Sequence, residues 1–116
     1  MIKKIILLIV FQICLIPSIL LAENFVIKGV TASKCDKIIE LYNIDSKRAE
    51  QVLKSVFQSF LTGYNFRYYQ DTRKFKDLNV TAEYVFETVM RDCRKNKKES
   101  VHWILTDFWK TLDWGK

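Results

Sequence analysis

The stretch AEQVLKSVFQSFLTGY at residues 49–64 carries the strongest secondary-structure signal in the chain. Its apolar residues recur at spacings of three and four, which is the period of one face of an α-helix. These residues are Ala49, Val52, Leu53, Val56, Phe57, Phe60, Leu61 and Tyr64. With Asp45 or Ser46 as the N-terminal cap, the pattern predicts an amphipathic helix over about residues 47–65.

Gly63 falls on the apolar stripe of this predicted helix. A glycine lowers the stability of a helix by about 1 kcal/mol, so its presence on the buried face needs a reason. Two explanations are open. The glycine lets another backbone approach closely, or it marks the frayed end of the helix.

Three shorter helices are predicted from the same periodicity, each after a residue that can cap its first turn. They cover about residues 34–43, 80–95 and 100–112, after the caps Ser33, Asn79 or Thr81, and Ser100, respectively. The chain after residue 22 contains no proline and only three glycines. This scarcity of breakers disfavours a β-sandwich with many turns. We therefore expect a small all-α fold of four helices.

The connections between these helices are less regular. Phe25 to Ile27 suits a brief strand or an extended arm ahead of the first helix. Residues 65–78 mix polar, charged and aromatic side chains, and we expect them to form a long loop.

The N-terminus has the pattern of a secretory signal peptide. Lys3 and Lys4 precede an almost purely apolar run that ends at Ala22. Pro17 would break a helix within that run, which is shorter than the roughly 20 residues that a membrane span needs. We expect cleavage after Ala22, so that residues 1–22 are the signal and 23–116 one exported domain. Cleavage at another bond and uncleaved anchoring are the alternatives.

Removal of this signal leaves 17 basic and 13 acidic residues, a net charge of +4. Such a mild excess favours no nucleic-acid partner. Two cysteines, Cys35 and Cys93, remain. An even count in a small exported domain favours a disulfide, whereas redox pairs are usually Cys-x-x-Cys. A bond between Cys35 and Cys93 would close a long loop of the chain, and in the chain-entropy model such a loop gives roughly 4 kcal/mol of stabilisation.

The sequence shows no constellation of catalytic residues. His102 is the only histidine, and neither Glu99 nor Asp107 has metal-motif spacing with it. No glycine-flanked serine or phosphate-binding loop is present. We therefore expect no enzyme activity, no cofactor and no metal. The basic stretch at residues 94–98 is interpreted as a solvated loop after a helix C-terminus, where cations are favoured, or as an anion-binding segment.

Two large aromatic residues lie opposite the apolar stripes of the predicted helices. Trp103 and Tyr84 face outward if those stripes face the core. Exposed large aromatics often mark surfaces that bind partners. The alternative is that a neighbouring helix, the N-terminal arm or the long loop covers them.

The layout resembles that of the HdeA/HdeB-type periplasmic proteins of Gram-negative bacteria. The resemblance covers about residues 31–112. It lies in the Thr-x-x-x-Cys opening at 31–35, the Phe-Leu-Thr-Gly-Tyr-Asn segment at 60–65, the second cysteine Cys93 and the Trp-Lys-Thr-Leu end at 109–112. Small bacterial immunity proteins against secreted toxins have a similar helical, disulfide-bearing layout.

The resemblance to the HdeA-type family implies a periplasmic, stress-linked holdase chaperone. Such proteins are folded homodimers near neutral pH, open in strong acid and cover aggregating clients with apolar surface. The implied client surface would then be Phe57, Phe60, Phe86 and Phe108. The alternatives are an immunity-type inhibitor of one secreted toxin or enzyme, and an envelope or secreted protein of another role.

Overall fold

The computed structural model describes residues 29–116, which form four α-helices. These are α1 at Cys35–Ile44, α2 at Ser46–Thr72, α3 at Ala82–Lys95 and α4 at Val101–Thr111. A short 3-10 helix at Val30–Ala32 precedes α1. The predicted all-α, four-helix fold is confirmed. The predicted signal peptide, its cleavage site and the segment from Phe25 to Ile27 lie outside the described residues.

Side-chain caps begin three of the helices. The Asp45 carboxylate accepts from the backbone N–H of the third residue after it, and the Thr81 and Ser100 hydroxyls do the same for α3 and α4. The cap predicted at Ser33 is wrong. Helix α1 starts after Lys34, and the backbone N–H groups of Cys35 and Asp36 donate to carbonyls of the loop between α3 and α4, at 2.8 and 2.9 Å. That loop replaces a side-chain cap, because it satisfies donors that a helix start leaves free.

Helix α2 is longer than predicted. It continues through residues 65–72, so the prediction of a loop from Asn65 onward is wrong for this part and holds only after it. Tyr68 extends the stripe of Tyr64 by one turn, and both rings pack against Trp109 of α4 with centroids 4.9 Å apart. This tertiary packing stabilises the extra turns. The helix ends at Arg73, whose φ of 59° turns the chain back.

The core lies where the apolar stripes of the four helices meet. Its buried members come from every helix and are listed here: Cys35, Ile38, Leu53, Phe57, Leu61, Val85, Phe86, Val89, Met90, Cys93, Val101, Ile104, Leu105, Phe108 and Trp109. The predicted disulfide is present and joins Cys35 of α1 to Cys93 of α3. Both sulfurs are fully buried.

Gly63 occupies neither of the two settings predicted for it. It lies inside α2, nine residues before the helix ends, and it is exposed. A Cβ atom built on it would meet no heavy atom within 4 Å among the described residues. The prediction that Gly63 allows a close backbone approach is therefore wrong among the described residues, because no neighbouring backbone lies where the Cβ atom would be.

Candidate protein-binding surfaces

A buried lysine organises the end of the molecule where α2 and α4 finish. Lys76 is only 7% exposed, and its Nζ donates to the carbonyls of Leu112 at 2.8 Å and Lys110 at 3.3 Å. The ammonium also lies 3.9 Å from the centroid of the Trp114 ring. Carbonyls at a helix C-terminus lack partners and favour a cation. Lys76 therefore caps α4 from outside, and none of the ion pairs within residues 29–116 involves it.

Asn65 connects this lysine to α2. Its amide accepts from the Lys76 backbone N–H at 2.7 Å and donates to the Lys76 carbonyl at 3.0 Å. The same Oδ1 accepts from the Trp109 indole N–H at 3.1 Å. One asparagine thus links α2, the segment after it and α4. We call Asn65, Lys76, Trp109 and Trp114 the Lys76 cluster.

The Lys76 cluster lies next to a cleft that is lined by aromatic and basic side chains. Residues 75 and 115 are joined by a backbone hydrogen bond of 2.9 Å, and Lys76 pairs with Trp114 as an isolated antiparallel bridge. The cleft has a volume of about 540 Å³. Its lining residues are Tyr69, Arg73, Lys74, Phe75, Trp114, Gly115 and Lys116, and we call this the C-terminal cleft. Among residues 29–116, its lining combines three exposed aromatic rings with three cationic side chains and includes no carboxylate side chain.

An apolar groove lies on another part of the surface, between α1 and α2. It has a volume of about 350 Å³. Its walls are Val30, Leu41, Ile44, Ala49, Val52 and Leu53, with Asp45 and Arg48 at the rim, and we call it the α1–α2 groove. Ile44 is 75% exposed in this groove. Apolar side chains this exposed, grouped along one groove, are a common feature of surfaces that bind other proteins.

The predicted client residues occupy the interior of the folded domain. Phe57, Phe86 and Phe108 are buried, and Phe60 is half-buried against His102. The rings of Phe57 and Phe86 stack across the boundary between α2 and α3, with centroids 6.4 Å apart. These residues can meet a client only after the helices separate.

The prediction that Tyr84 and Trp103 face outward is confirmed. Tyr84 and Trp103 are 55% and 54% exposed. The structure does not bring them together as one pair. Tyr84 packs on Phe108 with centroids 6.0 Å apart, whereas Trp103 packs on His102 with centroids 5.2 Å apart. They offer two separate aromatic contacts.

One electrostatic link crosses the boundary between α2 and α3. The Lys54 ammonium bonds to Glu50 on its own helix at 2.9 Å. It also faces Glu83 and Glu87 of α3. The hydrogen bond to Glu50, together with the charges of all three carboxylates, raises the pKa of Lys54. This attraction depends on ionised carboxylates.

No metal or membrane feature appears in the part of the chain that the structure describes. Over residues 29–116, no group of three or more His, Cys, Asp or Glu side chains could hold a metal ion. No helix within that range is long and apolar enough to cross a bilayer.

Sequence reasoning missed Asn65 and Lys76, which lie in the segment interpreted as a loop. The spacing of Tyr64 and Tyr68 was a usable signal for a longer helix. Nothing local indicates that Lys76 is buried, because its partners are 34 and 36 positions away.

Comparison with protein-family models gives no match for this chain, and neither the curated proteins nor the solved structures contain a significant one. The resemblance to the HdeA-type family stays a prediction.

Proposed function

We propose that this chain is an exported, HdeA-like protein that binds other proteins and acts as a holdase when acid opens it. The observation that carries the proposal is the arrangement of links within the four-helix core. The disulfide and the Lys76 cluster join the helices within two pairs, whereas the charges of Glu83 and Glu87 on α3 attract Lys54 of α2 across the boundary between those pairs.

The first pair is α1 with α3, joined covalently by the disulfide of Cys35 and Cys93. The second is α2 with α4, joined by the Lys76 cluster. The contacts of that cluster are made by a lysine, an asparagine, indole rings and backbone carbonyls, and none of them involves a carboxylate. Both pairs therefore keep their internal links at low pH.

The boundary between the two pairs responds differently. The negative charges of Glu83 and Glu87 on α3 attract the Lys54 ammonium of α2 across this boundary. Below about pH 4 the carboxylates of the chain become neutral. The charge of the predicted mature chain then rises from +4, counted with a neutral histidine, towards about +18, counted from its 17 basic residues and one protonated histidine. Attraction across the boundary is lost while repulsion grows.

Opening along this boundary would expose the stacked rings of Phe57 and Phe86. It would also widen the α1–α2 groove, since the two walls of that groove belong to different helix pairs. The exposed apolar surface is suited to unfolded clients, whose recognition needs burial of apolar area more than specific geometry. Near neutral pH, a homodimer that covers the groove would keep this surface from binding clients.

The test is suppression of aggregation of several unrelated client proteins by the oxidised mature protein, at about pH 2.5 and about pH 7. These values lie on either side of the carboxyl pKa values near 4. Suppression of many clients in acid alone supports the proposal. Suppression at neither pH removes the holdase function.

The second candidate function is inhibition of a single folded partner, as in immunity proteins. The C-terminal cleft favours it, because tryptophan, tyrosine and arginine dominate the binding energy of specific interfaces. Pull-down at neutral pH separates the two functions, since an inhibitor retains one partner tightly and a holdase retains none preferentially.

A further inference from the structure

We infer that the C-terminal cleft is a docking site for an acidic segment of a partner protein, with an aromatic or aliphatic side chain inserted between Tyr69, Phe75 and Trp114. This goes beyond the proposed holdase function, which uses the α1–α2 groove and the core. It gives the cleft a ligand of stated chemistry that binds the folded protein at neutral pH.

The charge of the cleft selects the sign of the ligand. Arg73, Lys74 and Lys116 are its charged side chains. Asp71 near the end of α2 pairs with Arg67 on the same helix at 3.4 Å, and Asp77 and Asp113, which flank the Lys76–Trp114 bridge, are not among the residues that line the cleft. The buried ammonium of Lys76 lies against the Trp114 ring and adds a further positive charge beneath the cleft. Three clustered cationic side chains, with no carboxylate side chain among the described residues that line the cleft, attract negatively charged segments.

The aromatic side chains supply the apolar part of the site. The rings of Tyr69 and Phe75 meet with centroids 6.0 Å apart, and the Arg73 guanidinium lies 5.5 Å from the Tyr69 centroid. Each of the three rings is more than a third exposed. Aromatic rings beside arginine are the side chains that most often dominate binding energy in specific interfaces. The cleft is large enough for one large side chain of a partner together with part of its backbone.

The geometry of the cleft is fixed before any ligand arrives. Asn65 and the Lys76 ammonium anchor one wall to α2 and α4, and the 75–115 backbone hydrogen bond closes the other. A Cβ atom at Gly115 would collide with the Phe75 ring, so a larger residue there would displace that ring from its present position. A preformed site loses less ordering entropy on binding than a mobile one.

The experiment uses fluorescence anisotropy of a labelled short peptide in which one phenylalanine is flanked by aspartates and glutamates. Comparison peptides replace that phenylalanine with serine, or the acidic residues with glutamine. We expect Lys74→Glu to weaken binding of the acidic peptide about tenfold or more, as for a residue at the centre of an interface. Lys47→Glu makes the same charge change at an exposed site on the first turn of α2, and we expect a change below about threefold from it.

Tyr69→Ala provides a second variant and removes apolar contact without changing the charge. We expect it to weaken the acidic phenylalanine peptide and to leave the serine peptide unchanged. Equal weakening by Lys74→Glu and Lys47→Glu would overturn the inference, because the peptide would then respond only to total charge. Equal binding of the phenylalanine and serine peptides would overturn it too, since that is the behaviour of a general anion patch. Client aggregation assays on the same variants show separately whether the holdase function is retained.

Discussion

Replacement of Asn65 by alanine should destabilise the fold more than any other single substitution of a polar side chain on α2. The change removes three hydrogen bonds at once, two to the Lys76 backbone and one from the Trp109 indole. Each such bond contributes about 1 kcal/mol net, and partners left unsatisfied in a partly buried site add to the loss. We therefore expect the free energy of unfolding to fall by about 3 kcal/mol.

The matched control is Asn96→Ala. The side chain of Asn96 is exposed, and within residues 29–116 it donates a single hydrogen bond, to the Asp92 carbonyl at 3.0 Å. We expect that substitution to cost less than about 1 kcal/mol. Urea unfolding of the oxidised proteins, followed by circular dichroism, measures both values. In a domain of this size, 3 kcal/mol corresponds to a fall in Tm of roughly 12–24 °C. Equal destabilisation by the two alanine substitutions would refute the role assigned to the Lys76 cluster.

Three further predictions concern the core, α2 and its boundary with α3. Cys35→Ser with Cys93→Ser should lower the free energy of unfolding by about 4 kcal/mol in the chain-entropy model, measured by urea unfolding; an unchanged midpoint would contradict it. Gly63→Ala should raise the stability by about 0.5–1 kcal/mol, because the site is helical and open, and a lower Tm would show a hidden contact. Lys54→Met should reduce the difference between the free energies of unfolding in neutral and in acidic solution. The control Lys37→Met should reduce it less, because the ion pair of Lys37 lies within α1; equal dependence on pH in the two variants would argue against an acid-sensitive boundary.

Local periodicity is sufficient to predict the helices, since each helix buries a stripe with a period near 3.6 residues. The even cysteine count favours a disulfide, and the structure joins Cys35 and Cys93 on the buried faces of their helices. The same periodicity predicts that Tyr84 and Trp103 face outward, because both lie opposite the stripes. Side-chain caps at Asp45, Thr81 and Ser100 are similarly local.

The features that sequence reasoning missed depend on contacts between distant parts of the chain. The cap of α1 is made by backbone carbonyls of a loop more than 60 residues later, so no residue type near the start of α1 indicates this cap. The last turns of α2 are polar on most sides and are stabilised by packing on Trp109. Lys76 has the composition of a surface residue, and only the carbonyls at the end of α4 make its burial favourable.

The same limit applies to the candidate surfaces. The C-terminal cleft combines residues from the end of α2, the segment after it and the last residues of the chain. In the sequence these residues form two separate groups, about 40 positions apart, and neither has a recognisable motif. The antiparallel bridge between Lys76 and Trp114 brings them together, and this pairing cannot be inferred from either group alone.

The central claim is that acid makes the surface between the two helix pairs available to clients. The most direct test places a photo-crosslinking amino acid at Val52, in the α1–α2 groove, and at Gln70, an exposed polar position on the same helix. Each protein is mixed with an unfolded client at about pH 7 and at about pH 2.5, on either side of the carboxyl pKa values. We predict strong cross-linking from Val52 in acid, weaker cross-linking from Val52 near neutral pH, and little from Gln70 at either. Equal cross-linking from both positions, or none from Val52 in acid, would contradict the account.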